Sequence, residues 1–195
     1  MPKINGSDKR IQILEALNRC LQNKPFDKTS IKDIARAAGV NHGLLHYYFK
    51  SKEDILIQYI DYVIDHYRSM VKERFNDKKL KDIDKKKLIE EFFMFIQDRI
   101  TLDRSLSKVF IEIWEIAVYH PAVKDKLQCA YQEWMDVLSN MLKSLNQDID
   151  LSRRTSFAMV AFLEGMALFS IILDLDSKEF KKILSGFQSK FIDIL

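Results

Sequence analysis

SIKDIARAAGVNHGLLHYYFKSK, residues Ser30–Lys52, holds two short helical patterns around a single glycine. In the first, Ile31, Ile34, Ala35 and Ala38 recur at i, i+3, i+4 and i+7, which is one face of a helix. Gly39 follows the last periodic residue and can take positive φ, so it ends the helix without steric cost. Val40 then turns inward, and Asn41 is a good N-cap for a second helix. That helix buries Leu45 and Tyr48 or Phe49 and turns His42, Gly43, Leu44, His46 and Tyr47 outward. Two helices across such a turn form a helix-turn-helix, whose second helix enters the DNA major groove.

Charge distribution agrees with a polyanion-binding head. The chain of 195 residues carries a formal net charge of +3. Residues 1–52 hold 10 Lys/Arg against 4 Asp/Glu, and the remainder holds 21 against 24. A basic N-terminal quarter on a slightly acidic body fits double-stranded DNA as partner. Only 5 Gly and 3 Pro, with 47% hydrophobic residues, predict long helices and few loops. Cys20 and Cys129 lack metal-ligand spacing and make no disulfide framework, so a reducing, cytoplasmic compartment is expected. No apolar signal segment opens the chain. The run Phe157–Leu173 is 17 residues interrupted by Glu164, which favours a buried helix over a membrane span.

Read in order, the chain is all-α, with about nine or ten helices, three of them in the head. The first helix begins near Ser7 or Asp8 and carries Ile13, Ala16, Leu17 and Cys20 on one stripe. Lys9 and Arg10 near its start fit either an external anion or solvated charge. Phe26 anchors the connection after Pro25. Ser30 and Asp33 read as a capping box, and Ser51-Lys52-Glu53-Asp54 as a second helix start. The helix it opens carries Ile55, Leu56, Tyr59, Val63, Tyr67, Met70 and Val71 to about Phe75. Asn76–Lys87 is a solvated, charged connection. Phe92–Ile96 are apolar in succession, so that helix is expected to be buried on every side. Leu102, Leu106, Phe110, Ile113, Trp114 and Ala117 continue with helical spacing, and Pro121 starts the next helix. Leu127, Tyr131, Trp134, Leu138, Met141 and Leu145 form a bundle seam. Asp150 can cap the following helix, whose Ala158, Ala161 and Gly165 permit close approach. A last amphipathic helix spans about 178–194. The chain divides into a basic helix-turn-helix head, 1–52, and a helical body, 53–195.

The head resembles the TetR family of transcriptional regulators. The resemblance rests on Thr29-Ser30, Ile34-Ala35, Ala38-Gly39-Val40, Gly43, Leu45-His46-Tyr47-Tyr48-Phe49 and Ser51-Lys52-Glu53, about a quarter of the chain. Two positions depart from the family pattern: His46 stands where Tyr is usual, and Lys24-Pro25 replaces the Gly before the aromatic at Phe26. The resemblance implies a repressor that binds a palindromic operator as a homodimer and responds to a small molecule in its body. It also implies dimerisation through residues 123–145 and 151–173. An all-apolar helix beside a heptad seam supports that mapping, since one protomer cannot easily cover both.

Thr29, His46, Tyr47 and Lys52 are the candidate phosphate contacts, with Tyr47 alternatively a half-buried core residue. Asn41, His42, Gly43 and Leu44 are candidates for base edges. No Arg or Lys precedes Lys50 on the exposed face, so readout leans on thymine methyls and DNA shape. His42 and His46 share the spacing of a metal pair, but HGLLH lacks the Glu of a metalloprotease helix, and no metal or cofactor is expected. Phe93, Phe110, Trp114, Trp134, Met135, Phe162 and Met166 are the candidate effector-binding residues, suited to an apolar or aromatic ligand. Glu164 either meets a ligand's polar group or faces the dimer partner, the second being favoured; Glu112 and Glu115 are expected to be exposed. The competing class, an enzyme or small-molecule carrier whose basic head does not bind DNA, lacks any catalytic constellation.

Overall fold

Local hydrogen bonds punctuate the chain into helices. The computed structural model of the protein describes residues 6–75, 84–101, 103–173 and 176–194. Among the described residues there are nine α-helices and no strand. These are α1 (Gly6–Leu21), α2 (Ile31–Ala38), α3 (His42–Tyr48), α4 (Lys52–Arg74), α5 (Lys85–Ile96), α6 (Arg104–Tyr119), α7 (Pro121–Asn146), α8 (Ile149–Ile172) and α9 (Ser177–Ile194). A π-helical turn, Gln97–Thr101, extends α5. Leu102, the Leu145 side chain, the side chains of Ser7 and Asp8, and residues 76–83 of the charged connection lie outside the described residues. The connection is shorter than expected, because Asp84 caps α5 and accepts the Lys87 N–H. Asp148, not Asp150, caps α8, accepting the N–H groups of Asp150 and Leu151.

The described residues fall into two compact units, one from Met1–Lys72 and Val109–Leu127, the other from Glu73–Lys108 and Gln128–Leu195. In the first, α1 packs on α2 and buries Ile13, Ala16 and Leu17, while α2 buries Ile34, Ala35 and Ala38. α4 buries Ile55, Leu56, Tyr59, Ile60, Val63 and Tyr67. Full burial of one such aliphatic side chain is worth about 1.5–3 kcal/mol. Cys20 packs among them, and burial pushes its thiol above the ordinary range.

The second unit holds two clusters: Ile89, Phe93, Leu138, Leu142 and Met159, and then Met166, Phe180 and Leu184. The apolar run on α5 is not buried all round: Met94 is 50% exposed, and Phe92, Phe95 and Ile96 are half-buried. The expectation for α8 also needs correction. Its buried stripe is Ser152, Ser156, Met159, Met166, Ala167 and Ser170, and the three seryl hydroxyls donate to carbonyls of their own helix or its cap. Phe157 and Ile172 are 64% and 63% exposed, with Ala158, Ala161 and Phe169 on the outward side as well. Four of these six buried residues are small, which lets neighbouring elements come close, while Phe157, Phe169 and Ile172 stay outside.

Glu164 sits half-buried on α8 and accepts the Tyr131 hydroxyl at 3.0 Å. Desolvation pushes its carboxyl up to about 7, although the Tyr131 bond pulls the other way. A carboxyl raised in the folded state adds stability in full below its unfolded value of about 4.5, and that contribution is lost as pH rises toward 7. The loss is on the order of 2–3 kcal/mol before water reaching the carboxyl reduces it. Denaturation midpoints at fixed protein concentration should therefore fall from pH 4.5 to 7 relative to Glu164→Gln; parallel profiles would contradict this. A second expectation concerns Gly39, held at φ 63° with nothing within 4 Å of a Cβ built there. Its cost is purely conformational, so Gly39→Ala should destabilise by about 1–2 kcal/mol in urea unfolding and Gly39→Asn by less.

Candidate nucleic-acid interface

The helix-turn-helix is assembled by closing every end of a very short helix. At the start of α2, the Asp33 N–H donates to Ser30 Oγ at 3.1 Å and Asp33 Oδ2 accepts the Ser30 N–H at 2.9 Å, the reciprocal capping box. Lys24 Nζ lies 2.6 Å from the same carboxylate, and this bond, with those from Ser30, holds Asp33 well below the usual carboxylate range. At the other end, Gly39 N–H donates to Arg36 O and Val40 N–H to Ala35 O. Side chains from α1 take the last two carbonyls: Arg19 donates to Ala37 O at 2.9 Å and Gln12 to Ala38 O at 2.6 Å. Asn41 Oδ1 then accepts the Leu44 N–H at 2.7 Å and begins α3.

α3 buries Leu45 beneath it and is followed by buried Phe49, with Leu44 and Tyr48 half-buried. His42, Gly43, His46 and Tyr47 are exposed, and Tyr47 is 79% so, which removes the core alternative for this ring. His42 and His46 meet edge to face with ring centroids 4.4 Å apart. Gly43 has no internal steric need to be glycine, since a Cβ would meet only Asn41 Oδ1 at 3.5 Å, an ordinary contact. A glycine in a helix costs about 0.5–1 kcal/mol relative to alanine, so its use on this face fits close approach by something outside the protein.

Two expected phosphate contacts are occupied elsewhere. Thr29 is 1% exposed, and its hydroxyl donates to Pro25 O at 2.9 Å. Lys52 Nζ donates to Phe26 O at 2.8 Å and lies 4.2 Å from the Phe26 ring centroid, a cation–π placement. The amide of Phe26 in turn donates to Glu112 Oε2 at 3.0 Å, so Glu112 is half-buried and bonded rather than exposed. Arg10 is similarly engaged, hydrogen-bonding Gln58 and approaching the Phe49 ring. Lys32, Arg36 and Lys50, on or beside α2 and α3, are exposed cations, Arg36 lying 3.6 Å from Asp33 Oδ1. The exposure of Lys32 and Arg36 follows from the stripe that buries Ile34, Ala35 and Ala38, a signal that was available in the sequence.

Among the candidate effector residues, Phe162 packs against the cluster that holds Met166. Phe110 and Trp114 belong to the first unit, with ring centroids 6.4 Å apart. Phe93 and Met166 sit in separate clusters of the second, while Phe162 stacks on Phe187 at 3.6 Å. Trp134 and Met135 are half-buried on α7.

Residues 13–59 match the model of the bacterial regulatory proteins of the tetR family. The HTH-type transcriptional regulator EthR of Mycolicibacterium smegmatis is 37% identical over 60 residues, 31% of this chain and 28% of that protein. The HTH-type transcriptional regulator BetI of Pectobacterium carotovorum is 35% identical over 75 residues, 38% of each. The match thus spans under two fifths of the length of either relative. The fold extends further: a TetR transcriptional regulator from Legionella pneumophila superposes with a TM-score of 0.76 at 19% identity, covering 97% of this chain and 98% of that one. The helix-turn-helix of this chain thus matches the tetR family in sequence, and the chain as a whole matches solved TetR regulators in fold.

Proposed function

We propose that this protein is a transcriptional repressor that binds a palindromic operator in double-stranded DNA as a homodimer and is released by a small apolar or aromatic effector. The observation that carries the reading is the exposed face of α3, closed off from internal use, with Tyr47 projecting and Gly43 unfilled. His42, Gly43 and Leu44, beside Asn41, approach base edges; His46, Tyr47, Lys32 and Lys50 hold phosphates. Thr29 and Lys52 contribute by fixing the loop beneath them. Residues 1–52 form the DNA-binding domain and 53–195 the effector and dimerisation domain, in a cytoplasmic protein. The aromatic and sulfur side chains within each unit, Phe110 and Trp114 in the first and Phe93, Trp134, Met135, Phe162 and Met166 in the second, support an apolar effector.

The outward face of α8 supports the dimer. The helix is long and apolar enough to cross a bilayer, with a third of its most apolar window buried. Ala158, Ala161 and Gly165, among exposed Phe157, Phe169 and Ile172, instead suit a second copy of the same helix at short range. Two heads then address successive major grooves about 34–36 Å apart. Release requires an effector that prefers the spacing unable to bind DNA.

DNA selected from a random pool should be palindromic, and its affinity should fall steeply with salt. Tyr47→Ala should weaken binding tenfold or more in fluorescence anisotropy with helicity unchanged. Gly43→Ala should raise the unfolding midpoint slightly while weakening the same complex; unaltered affinity in both would refute this interface. In light scattering, the wild type should have twice the 23.0 kDa chain mass and Ala161→Arg the mass of one chain. A monomeric wild type that binds the operator tightly would refute the dimer.

A further inference from the structure

The basic side chains of α3 are His42 and His46; the helix holds neither lysine nor arginine. The two sit one turn apart, both exposed, with ring centroids 4.4 Å apart and planes at 71°. Imidazole is the one side chain whose ordinary change of charge falls between pH 5 and 8. The positive charge that α3 offers a polyanion is therefore conditional on protons.

The surroundings weigh against that charge until an anion arrives. On α3 itself the other titratable groups are Tyr47 and Tyr48, whose rings meet edge to face. From α2, Lys32 and Arg36 are exposed, and Asp33 is engaged by Lys24, Ser30 and Arg36. From α1, Lys9 bonds Gln12 and Arg10 bonds Gln58. After α3, Lys50 is exposed and Lys52 bonds the Phe26 carbonyl. Glu53 accepts from its own amide and from Ser51, while Asp54 accepts the Lys50 N–H and the Gln58 amide. Asp33, Glu53 and Asp54 thus already serve other groups. Lys32, Arg36 and Lys50 oppose a charge on either ring, and a charge on one ring opposes a second on the other. Phosphates laid against the same face reverse this balance, because an opposite charge nearby favours the charged form. Protonated imidazole also presents two N–H donors and no acceptor, which suits phosphate oxygens.

We infer that His42 and His46 couple DNA binding to proton uptake, the pair gaining protons as the head docks on duplex DNA and so supplying the charge that α3 otherwise lacks. The inference rests on the DNA-binding reading of this helix. Since the complex holds more protons than its separate partners, affinity rises as pH falls. The full chain is titrated by fluorescence anisotropy against a labelled duplex selected from a random pool, at constant ionic strength from pH 8 to pH 6. Wild-type affinity should rise about tenfold or more over this range, with about one to two protons taken up per head by calorimetry in buffers of different ionisation enthalpy. The double variant His42→Gln, His46→Gln, altered only at exposed positions, should have a flat profile. His46→Tyr, which keeps a polar ring against the backbone, should lose about half the slope. Glu164 titrates in the same range and is common to all three proteins, so the difference between their profiles is the quantity read. Tight binding with the same profile in wild type and double variant, or affinity that rises with pH, overturns the inference and leaves the DNA reading standing. Failure to bind any duplex at either pH overturns both.

Discussion

The head depends on satisfying the ends of α2. A helix of eight residues cannot hold itself together in water, because nucleation is unfavourable and most of its backbone groups lie in the first or last turn. Here Ser30 and Asp33 serve the start, the Gly39–Val40 turn takes two terminal carbonyls, and Arg19 and Gln12 reach from α1 for the other two. The caps from α1 do more than neutralise polar groups. They fix α2 against α1, and through the turn they fix the direction in which α3 leaves.

A second constraint holds the loop before α2. Phe26 is gripped at both ends of its backbone, its amide by Glu112 and its carbonyl by Lys52. Bonds to charged groups are roughly twice as strong as neutral ones, and losing either partner strands a partly desolvated charge. Val109–Leu127 belongs to the same compact unit as the head, and Glu112 bonds α6 to this loop. A shift of α6 would therefore be felt at the start of α2 without any change in the residues offered to DNA.

What the sequence disclosed divides along the same line. Ser30, Gly39 and Asn41 were legible because a cap or a left-handed turn is written in residues three or four positions apart. The internal bonds of Thr29 and Lys52 were not legible, because a hydroxyl and an ammonium serve an external phosphate or an internal carbonyl equally well. Only the folded path of Pro25–Phe26 settles which. The partner of Glu112 lies 86 residues away, beyond any local pattern. On α5, a run of aromatic residues announced burial but could not show that Met94 would face outward, and the π-helical turn at Gln97 has no residue signature.

The polarity of α8 follows from how little room its inner face has. Ser152, Ser156 and Ser170 fit there because their hydroxyls fold back on their own carbonyls and present a thin, satisfied surface. Phe157, Phe169 and Ile172 are displaced outward and keep roughly half or more of their surface in water. Covering the remainder in a two-fold pair would engage six such side chains and yield about 5–9 kcal/mol, against an association cost of about 4–15 kcal/mol. That margin is too thin for α8 alone. A lasting dimer built on this face also needs the half-buried Trp134 and Met135 and the exposed Val137 of α7. The proposed dimer therefore draws on α7 as well as on the outward face of α8.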